Sequence, residues 1–262
     1  MLKIDSICKT FQGGTINEKK ALNGISLTLN DGDFVSVIGS NGAGKSTLLN
    51  AIAGVFLIDE GKILIDDIDV TKMPEHKRAS YIGRVFQNPL VGTASDMWIE
   101  ENLALASRRG KRRGLRQGIT YNERKEYKDI LASFDLGLED RMTTKVGLLS
   151  GGQRQALTLL MATIKKPNLL LLDEHTAALD PKTAEKVLEL TNKIVKENHL
   201  TTFMVTHNMK DALKYGNRLI MMDSGKIIFD VSGREKEKLE VKDLLEKFEK
   251  VGGVVNDDML LG

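Results

Sequence analysis

Short, nearly continuous apolar runs recur along this chain, at residues 34–38, 169–172 and 202–205. Runs with so little polar alternation are expected of parallel strands buried on both faces. Residues 25–29 precede the first run across an Asp31-Gly32 turn, and residues 62–65 and 81–86 read as further strands. Between Gln87 and Lys166 the period changes from strand to helix. Trp98, Ile99, Leu103 and Leu105 mark one helical segment. Tyr127, Ile130, Leu131 and Phe134 mark another, at the i, i+3, i+4, i+7 spacing of a single helix face. Near the end, residues 219–222 and 227–229 bracket Ser224-Gly225 as a hairpin, and Val241, Leu244, Leu245 and Phe248 trace one amphipathic helix. The pattern predicts an α/β fold with a helical subdomain inserted into it.

The strand at 34–38 runs directly into Gly39-Ser40-Asn41-Gly42-Ala43-Gly44-Lys45-Ser46-Thr47, and a helical stretch with Leu48, Leu49, Ile52 and Ala53 follows. This is the phosphate-loop pattern G-x-x-x-x-G-K-[ST] in its proper setting between a strand and a helix. The glycines let backbone N–H groups close around an anion at a helix N-terminus, and Lys45 adds a point charge. The chemistry indicated is that of a nucleoside triphosphate. The run 169–172 ends in Asp173-Glu174. Alone, two acids at a strand end would only be solubilising. Downstream of a phosphate loop, Asp173 can hold Mg²⁺ together with the Ser46 hydroxyl, and Glu174 can orient and deprotonate a water.

Composition narrows the setting without adding chemistry. The chain has 262 residues, 41% of them hydrophobic, enough for one large domain or two small ones. Its 38 Lys and Arg nearly balance its 36 Asp and Glu, so global charge points to no nucleic-acid partner. One cysteine, Cys8, cannot make an internal disulfide, and as a small apolar side chain it is expected in the core. No stretch approaches the ~20 apolar residues of a membrane span, and the start lacks a signal-peptide core. The expectation is a soluble chain whose membrane role, if any, comes through a partner.

Leu149-Ser150-Gly151-Gly152-Gln153 precedes a helical run ended by Lys166-Pro167, with Ser150 placed as an N-cap and two glycines exposing N–H groups at a positive dipole end. With this run the chain resembles the ATP-binding cassette (ABC) ATPase family over nearly its whole length. The motifs stand in family order: phosphate loop, Gln87, Leu-Ser-Gly-Gly-Gln, the Asp173-Glu174 strand, Ala178-Leu179-Asp180 and His207. The resemblance implies a phosphate-loop NTPase core (RecA-like, a mostly parallel sheet with an antiparallel part) spanning 1–87 and 166–232. It implies a helical signature subdomain at 88–165 and a C-terminal helical tail at 233–262. It also implies ATP and Mg²⁺ bound between two subunits, most simply a homodimer. Lys45 would bind the β- and γ-phosphates, and the backbone of residues 39–47 would wrap them. Phe11 would stack on adenine, and Asp173, Ser46 and Gln87 would serve the metal. Glu174 would be the base and His207 the γ-phosphate sensor. Ser150, Gly151, Gly152 and Gln153 would reach the partner's nucleotide, and Asp180 would communicate between sites.

Three features lie outside that pattern or at its edge. Where the family commonly has proline after the two acids, this chain has His175, read as a lineage marker without catalytic function. Residues 88–94 with Met97 and Trp98 fall where transporter members receive a short helix of the membrane subunit; the plainer reading is subdomain core. The basic run from Arg108 to Arg116 reads as a solvated loop, with anionic lipid headgroups or acidic permease loops as the alternative and RNA as a weaker one. A cassette on its own chain leans toward an importer with a separate permease and an extracytoplasmic lipoprotein receptor, held at the cytoplasmic face of the membrane. The stretch from Asp173 to Pro181 and the Glu100-Glu101-Asn102-Leu103 segment are similar to a bacterial subgroup paired with receptors for tryptophan or tyrosine. The rival expectation is a soluble ABC ATPase of the cluster-assembly type.

Overall fold

The computed structural model describes residues 1–111 and 118–250. In chain order the strands and helices are β1 (Leu2–Phe11), β2 (Lys19–Leu29), β3 (Phe34–Gly39), α1 (Lys45–Ala53), β4 (Glu60–Ile65), β5 (Ile68–Asp69), α2 (Glu75–Arg78), β6 (Ile82–Val85), α3 (Ile99–Ser107) and α4 (Tyr121–Ala132). They continue with α5 (Gly151–Thr163), β7 (Leu169–Asp173), α6 (Pro181–Asn198), β8 (Thr202–Val205), α7 (Met209–Lys214), β9 (Arg218–Asp223), β10 (Lys226–Ser232), α8 (Arg234–Glu237) and α9 (Val241–Lys250).

Two sheets result. The larger runs β10-β9-β3-β8-β7-β6, parallel from β9 to β6 and closed at one edge by the antiparallel β9–β10 hairpin. The smaller runs β2-β1-β4-β5 and is antiparallel throughout. The apolar run of β7 shows why alternation was absent. Leu169 and Leu171 join the cluster between the sheets, with Leu48, Leu49 and Ile52 of α1, while Leu170 and Leu172 face the opposite cluster with Leu159 of α5 and Leu188 of α6. Both faces are core, and each fully buried leucine contributes about 1.5–3 kcal/mol.

Helix α5 is shared between two bodies. Leu159 and Ala162 lie against the large sheet, whereas Leu157 and Leu160 pack with Ile99 and Leu103 of α3 and with Tyr127 and Leu131 of α4. The helical insert is thereby tied to the sheet through the helix that follows Ser150. The amphipathic C-terminal helix α9 docks Leu244 and Phe248 on Met209 and Ala212 of α7 and on Leu219 and Met221 of β9. Cys8 departs from its expected place: it sits half-buried on β1 because the strand is irregular around it, with shifts in register on either side.

Candidate functional site

The segment between β3 and α1 turns so sharply that its glycines are sterically required. Gly44 caps α1 in a left-handed conformation (φ 101°), and a Cβ there would lie 2.6 Å from the Ala21 carbonyl oxygen. Phe11, Lys19, Ala21, residues 41–47 and Glu174 enclose a cavity of about 250 Å³ at this helix N-terminus. Lys45 forms its floor. Its Nζ is buried and donates to the carbonyls of Gly39 (2.6 Å) and Ser40 (3.1 Å). Burial lowers its pKa, while the carboxylates of Glu174 and Asp173 pull it back up. At the mouth, Phe11 is partly exposed and meets Phe56 edge-on at 5.2 Å between ring centroids. Ser46 is exposed at the first turn of α1, and the Ser40 hydroxyl is tethered to Asp223 at 3.2 Å.

The two acids sit at the end of β7 in unequal surroundings. Glu174 takes a left-handed backbone (φ 43°), held by its N–H donating to the Val205 carbonyl (3.0 Å) and its carbonyl accepting from Ala177 N–H. This turn sends its carboxylate into the cavity wall, 3.8 Å from Nδ1 of His207. The imidazole beside it, helped by Lys45, holds Glu174 below the usual carboxylate range against the opposing effect of burial. Burial instead pushes Asp173 up, and Arg84 is the main influence opposing it. The Arg84 guanidinium lies 3.5 Å from Asp173, donates to Oδ1 of Asn50 on α1 (2.6 Å) and stacks on Phe86 (4.4 Å). Gln87 stands exposed just past β6 and is not among the residues lining the cavity.

The Leu149–Gln153 run lies elsewhere, and none of it lines that cavity. Ser150 caps α5 as expected: its hydroxyl accepts from Gln153 N–H, and Gln153 Oε1 accepts from Ser150 N–H, both at 3.3 Å. The glycines differ in purpose. Gly151 is exposed, whereas Gly152 is buried under α6, where a Cβ would sit 2.2 Å from Thr183 Cγ2. Asp180 caps α6 by accepting from Thr183 N–H at 3.1 Å. The run 149–153 and the Ala178-Leu179-Asp180 loop are therefore packed on one another within one chain.

His175 is a buried structural residue. Thr191 Oγ1 donates to the Val187 carbonyl (2.7 Å), so it accepts from Nε2–H of His175 (3.1 Å), which fixes the neutral tautomer. Burial lowers its pKa from 6.5 to about 4. The unfolded chain then takes up this proton first, and stability falls as pH drops from 6.5 toward 4, by up to about 3 kcal/mol. His175→Gln, which keeps the donor to Thr191, should flatten urea-unfolding midpoints across that window; an unchanged acid slope would contradict this origin.

Beyond Gln87 the apolar side chains are not all core. Leu90, Val91 and Trp98 are exposed, and Met97, Trp98, Ala104, Leu105 and Ile119 line a cavity of about 380 Å³ beside α3. The start of the basic run is not a solvated loop, because Arg109 is drawn in to cap the end of α5 through the carbonyls of Ala162 and Lys165, both at 3.2 Å. Arg108 pairs with Glu123 at 2.9 Å. Arg112, Arg113 and Arg116 lie outside the described residues.

Sequence reading missed Lys19 and Arg84. Arg84 had a signal, since a lone cation inside the apolar run 81–86 must find partners when buried. Lys19 had none, because its place depends on how the first strand pair crosses the phosphate loop. Among the described residues no helix is long and apolar enough to cross a membrane, and no cluster of three or more His, Cys, Asp or Glu forms a ready-made metal cage.

Comparison with known proteins agrees with this geometry. The ABC transporter family profile matches residues 22–177. A tyrosine transport ATP-binding protein of Clostridioides difficile (strain R20291) is 46% identical over 249 residues, 95% of this chain and 99% of that protein. The methionine import ATP-binding protein MetN of Corynebacterium diphtheriae (strain ATCC 700971 / NCTC 13129 / Biotype gravis) is 36% identical over 87% of this chain, which spans 64% of that longer relative. Among solved structures, a dimeric ATP-binding cassette in a post-hydrolysis state with ADP and Pi superposes with a TM-score of 0.75 at 31% identity, over 89% of this chain and 99% of that one.

Proposed function

The chain belongs to the ABC transporter family, as an ATP-hydrolysing, ATP-binding subunit, and from that premise we propose that it drives a bacterial importer by closing and opening a dimer around two ATP molecules. The observation that carries this reading is a split site. The phosphate loop and Glu174 line one cavity, with His207 behind Glu174 at 3.8 Å in the wall of a neighbouring one, while the Leu149–Gln153 run is folded outside it and faces solvent at Ser150 and Gly151. A second copy supplies the missing wall, with the N–H groups of its α5 aimed at the γ-phosphate.

In this mechanism Phe11 stacks on the base and the backbone of residues 39–47 wraps the phosphates. Lys45 leaves the carbonyls of Gly39 and Ser40 for the β- and γ-phosphate oxygens. Ser46, Asp173 and Gln87 would hold Mg²⁺, which supplies charge neutralisation to those oxygens when bound. The donor set suits that ion, since hydroxyl, carboxylate and amide oxygens bind Mg²⁺ beside phosphates without a protein cage. Glu174, ionised at neutral pH, accepts the proton of the attacking water. His207 steadies the Glu174 carboxylate and contacts the γ-phosphate. Packing of Gly151 and Gly152 on Leu179 and Thr183 passes the state of one site to the other through Asp180.

The exposed Leu90, Val91 and Trp98 form the docking face for the membrane permease, which holds the subunit at the cytoplasmic side of the membrane. The tyrosine transport relative and the segment from Asp173 to Pro181 support an aromatic amino acid as the transported molecule, delivered by an extracytoplasmic lipoprotein. No side chain of this subunit selects it. The test is affinity purification from detergent-solubilised membranes, followed by tyrosine and tryptophan titrations of the receptor encoded beside this subunit. Co-purification with a multi-spanning protein and a receptor preference for either amino acid are expected. Recovery with soluble proteins only would favour the cluster-assembly type, and a receptor specific for sugar, peptide or metal would refute the substrate.

A further inference from the structure

Strand β2 begins at Lys19, and this residue lines the nucleotide cavity together with the phosphate loop. The ammonium lies close to the loop: a Cβ on Gly42 would lie 3.4 Å from Lys19 Nζ. Nearby cations in the fold are already engaged. Lys9 is paired with Asp59 at 2.7 Å, and Lys45 is bound to the carbonyls of Gly39 and Ser40. Lys19 has no ion pair among the described residues. Water solvates this exposed ammonium, so what marks it is position: a mobile cation beside a loop whose glycines open its backbone N–H groups to an anion. The same cavity offers Phe11 at its mouth for a base and Lys45 at its floor for terminal phosphates, so the span between them belongs to the phosphate chain.

Resting on the nucleotide-site reading above, we infer that Lys19 is a second phosphate-binding cation, which grips the polyphosphate chain from the side facing away from α1. It acts on affinity and on discrimination by phosphate number, not on the chemical step. It sits on a strand edge and remains largely exposed, so its attraction is screened by salt and its removal leaves the fold intact.

The experiment measures binding of ATP, ADP, AMP and adenosine to the full chain and to Lys19→Gln, Lys19→Arg and Lys45→Ala, at low and high salt, alongside thermal midpoints and steady-state ATPase. Lys19→Gln should weaken ATP and ADP about three- to tenfold at low salt, less at high salt, and leave adenosine unchanged. KM for ATP should rise with kcat preserved, and Lys19→Arg should restore most of the affinity. The proposal is overturned if Lys19→Gln binds ATP as tightly as the parent, or if it loses ATP and adenosine equally. If Lys19→Gln is silent and Lys45→Ala still weakens ATP, Lys19 alone is misassigned. If neither substitution matters, the nucleotide-site reading itself fails.

Discussion

Glu174→Gln should bind ATP and accumulate as a closed dimer while its turnover falls about 10²–10⁴-fold, the usual cost of losing a general base. In barrier terms this is about 3–5 kcal/mol. The substitution preserves shape, and the backbone bonds that hold the residue, between its N–H and the Val205 carbonyl and between its carbonyl and Ala177, do not involve the side chain. What disappears is the ionised carboxylate beside His207. Binding interactions at Lys45 and along the loop are untouched, so the ATP-bound state outlives its normal lifetime. Light scattering with and without ATP, alongside a phosphate-release assay, checks both parts. A variant with near-parental turnover would remove Glu174 from the base role.

Lys45→Ala should fail one step earlier. Charge-assisted hydrogen bonds are each worth about 1.5–3 kcal/mol, so deleting this ammonium should weaken ATP about ten- to a hundredfold and abolish ATP-dependent dimerisation. The same ammonium donates to the Gly39 and Ser40 carbonyls. The Ser40 carbonyl is only half-buried, so water can replace the ammonium there, and the fold should hold despite the loss at the buried Gly39 carbonyl. Isothermal titration with ATP separates the two variants: Glu174→Gln retains affinity and Lys45→Ala loses it. Unchanged affinity in Lys45→Ala would place the phosphates elsewhere.

Most of the strands and the whole order of site motifs were legible because they are local. A phosphate loop announces itself through glycine spacing, a buried parallel strand through unbroken apolar residues, and a cap through a serine, Ser150, just ahead of a helical run. What was not legible depends on contacts distant in sequence. Strands β2 and β3 flank one short turn, closed by Asn30 and Asp33, yet enter different sheets, which only their pairing with β1 and with β8 and β9 decides. The two signature glycines look alike in sequence, but one is exposed and the other is required by the approach of Thr183. Arg109, placed in a solvated basic run by composition, caps α5 because two carbonyls at that helix end are within its reach. His175 carries a titratable ring beside the acids, and burial against Thr191 keeps it neutral.

The central claim is that each nucleotide is shared between the phosphate loop of one copy and the Leu149–Gln153 run of another. Subunit mixing tests it most directly. Lys45→Ala disables the loop. Gly151→Asp places a carboxylate at an exposed helix N-terminus, where its Cβ, 3.2 Å from Leu179 Cδ2, needs only a small shift of that flexible side chain and its charge repels the partner's phosphates. Each variant alone should be nearly inactive. Mixed in equal amounts, half of random pairings bring one of each together, and only such a pair has an intact composite site, through which ATP can hold it closed. The account predicts recovery of roughly a quarter of parental ATPase activity. A mixture as inactive as its two components, under conditions where mixed dimers form, would contradict it.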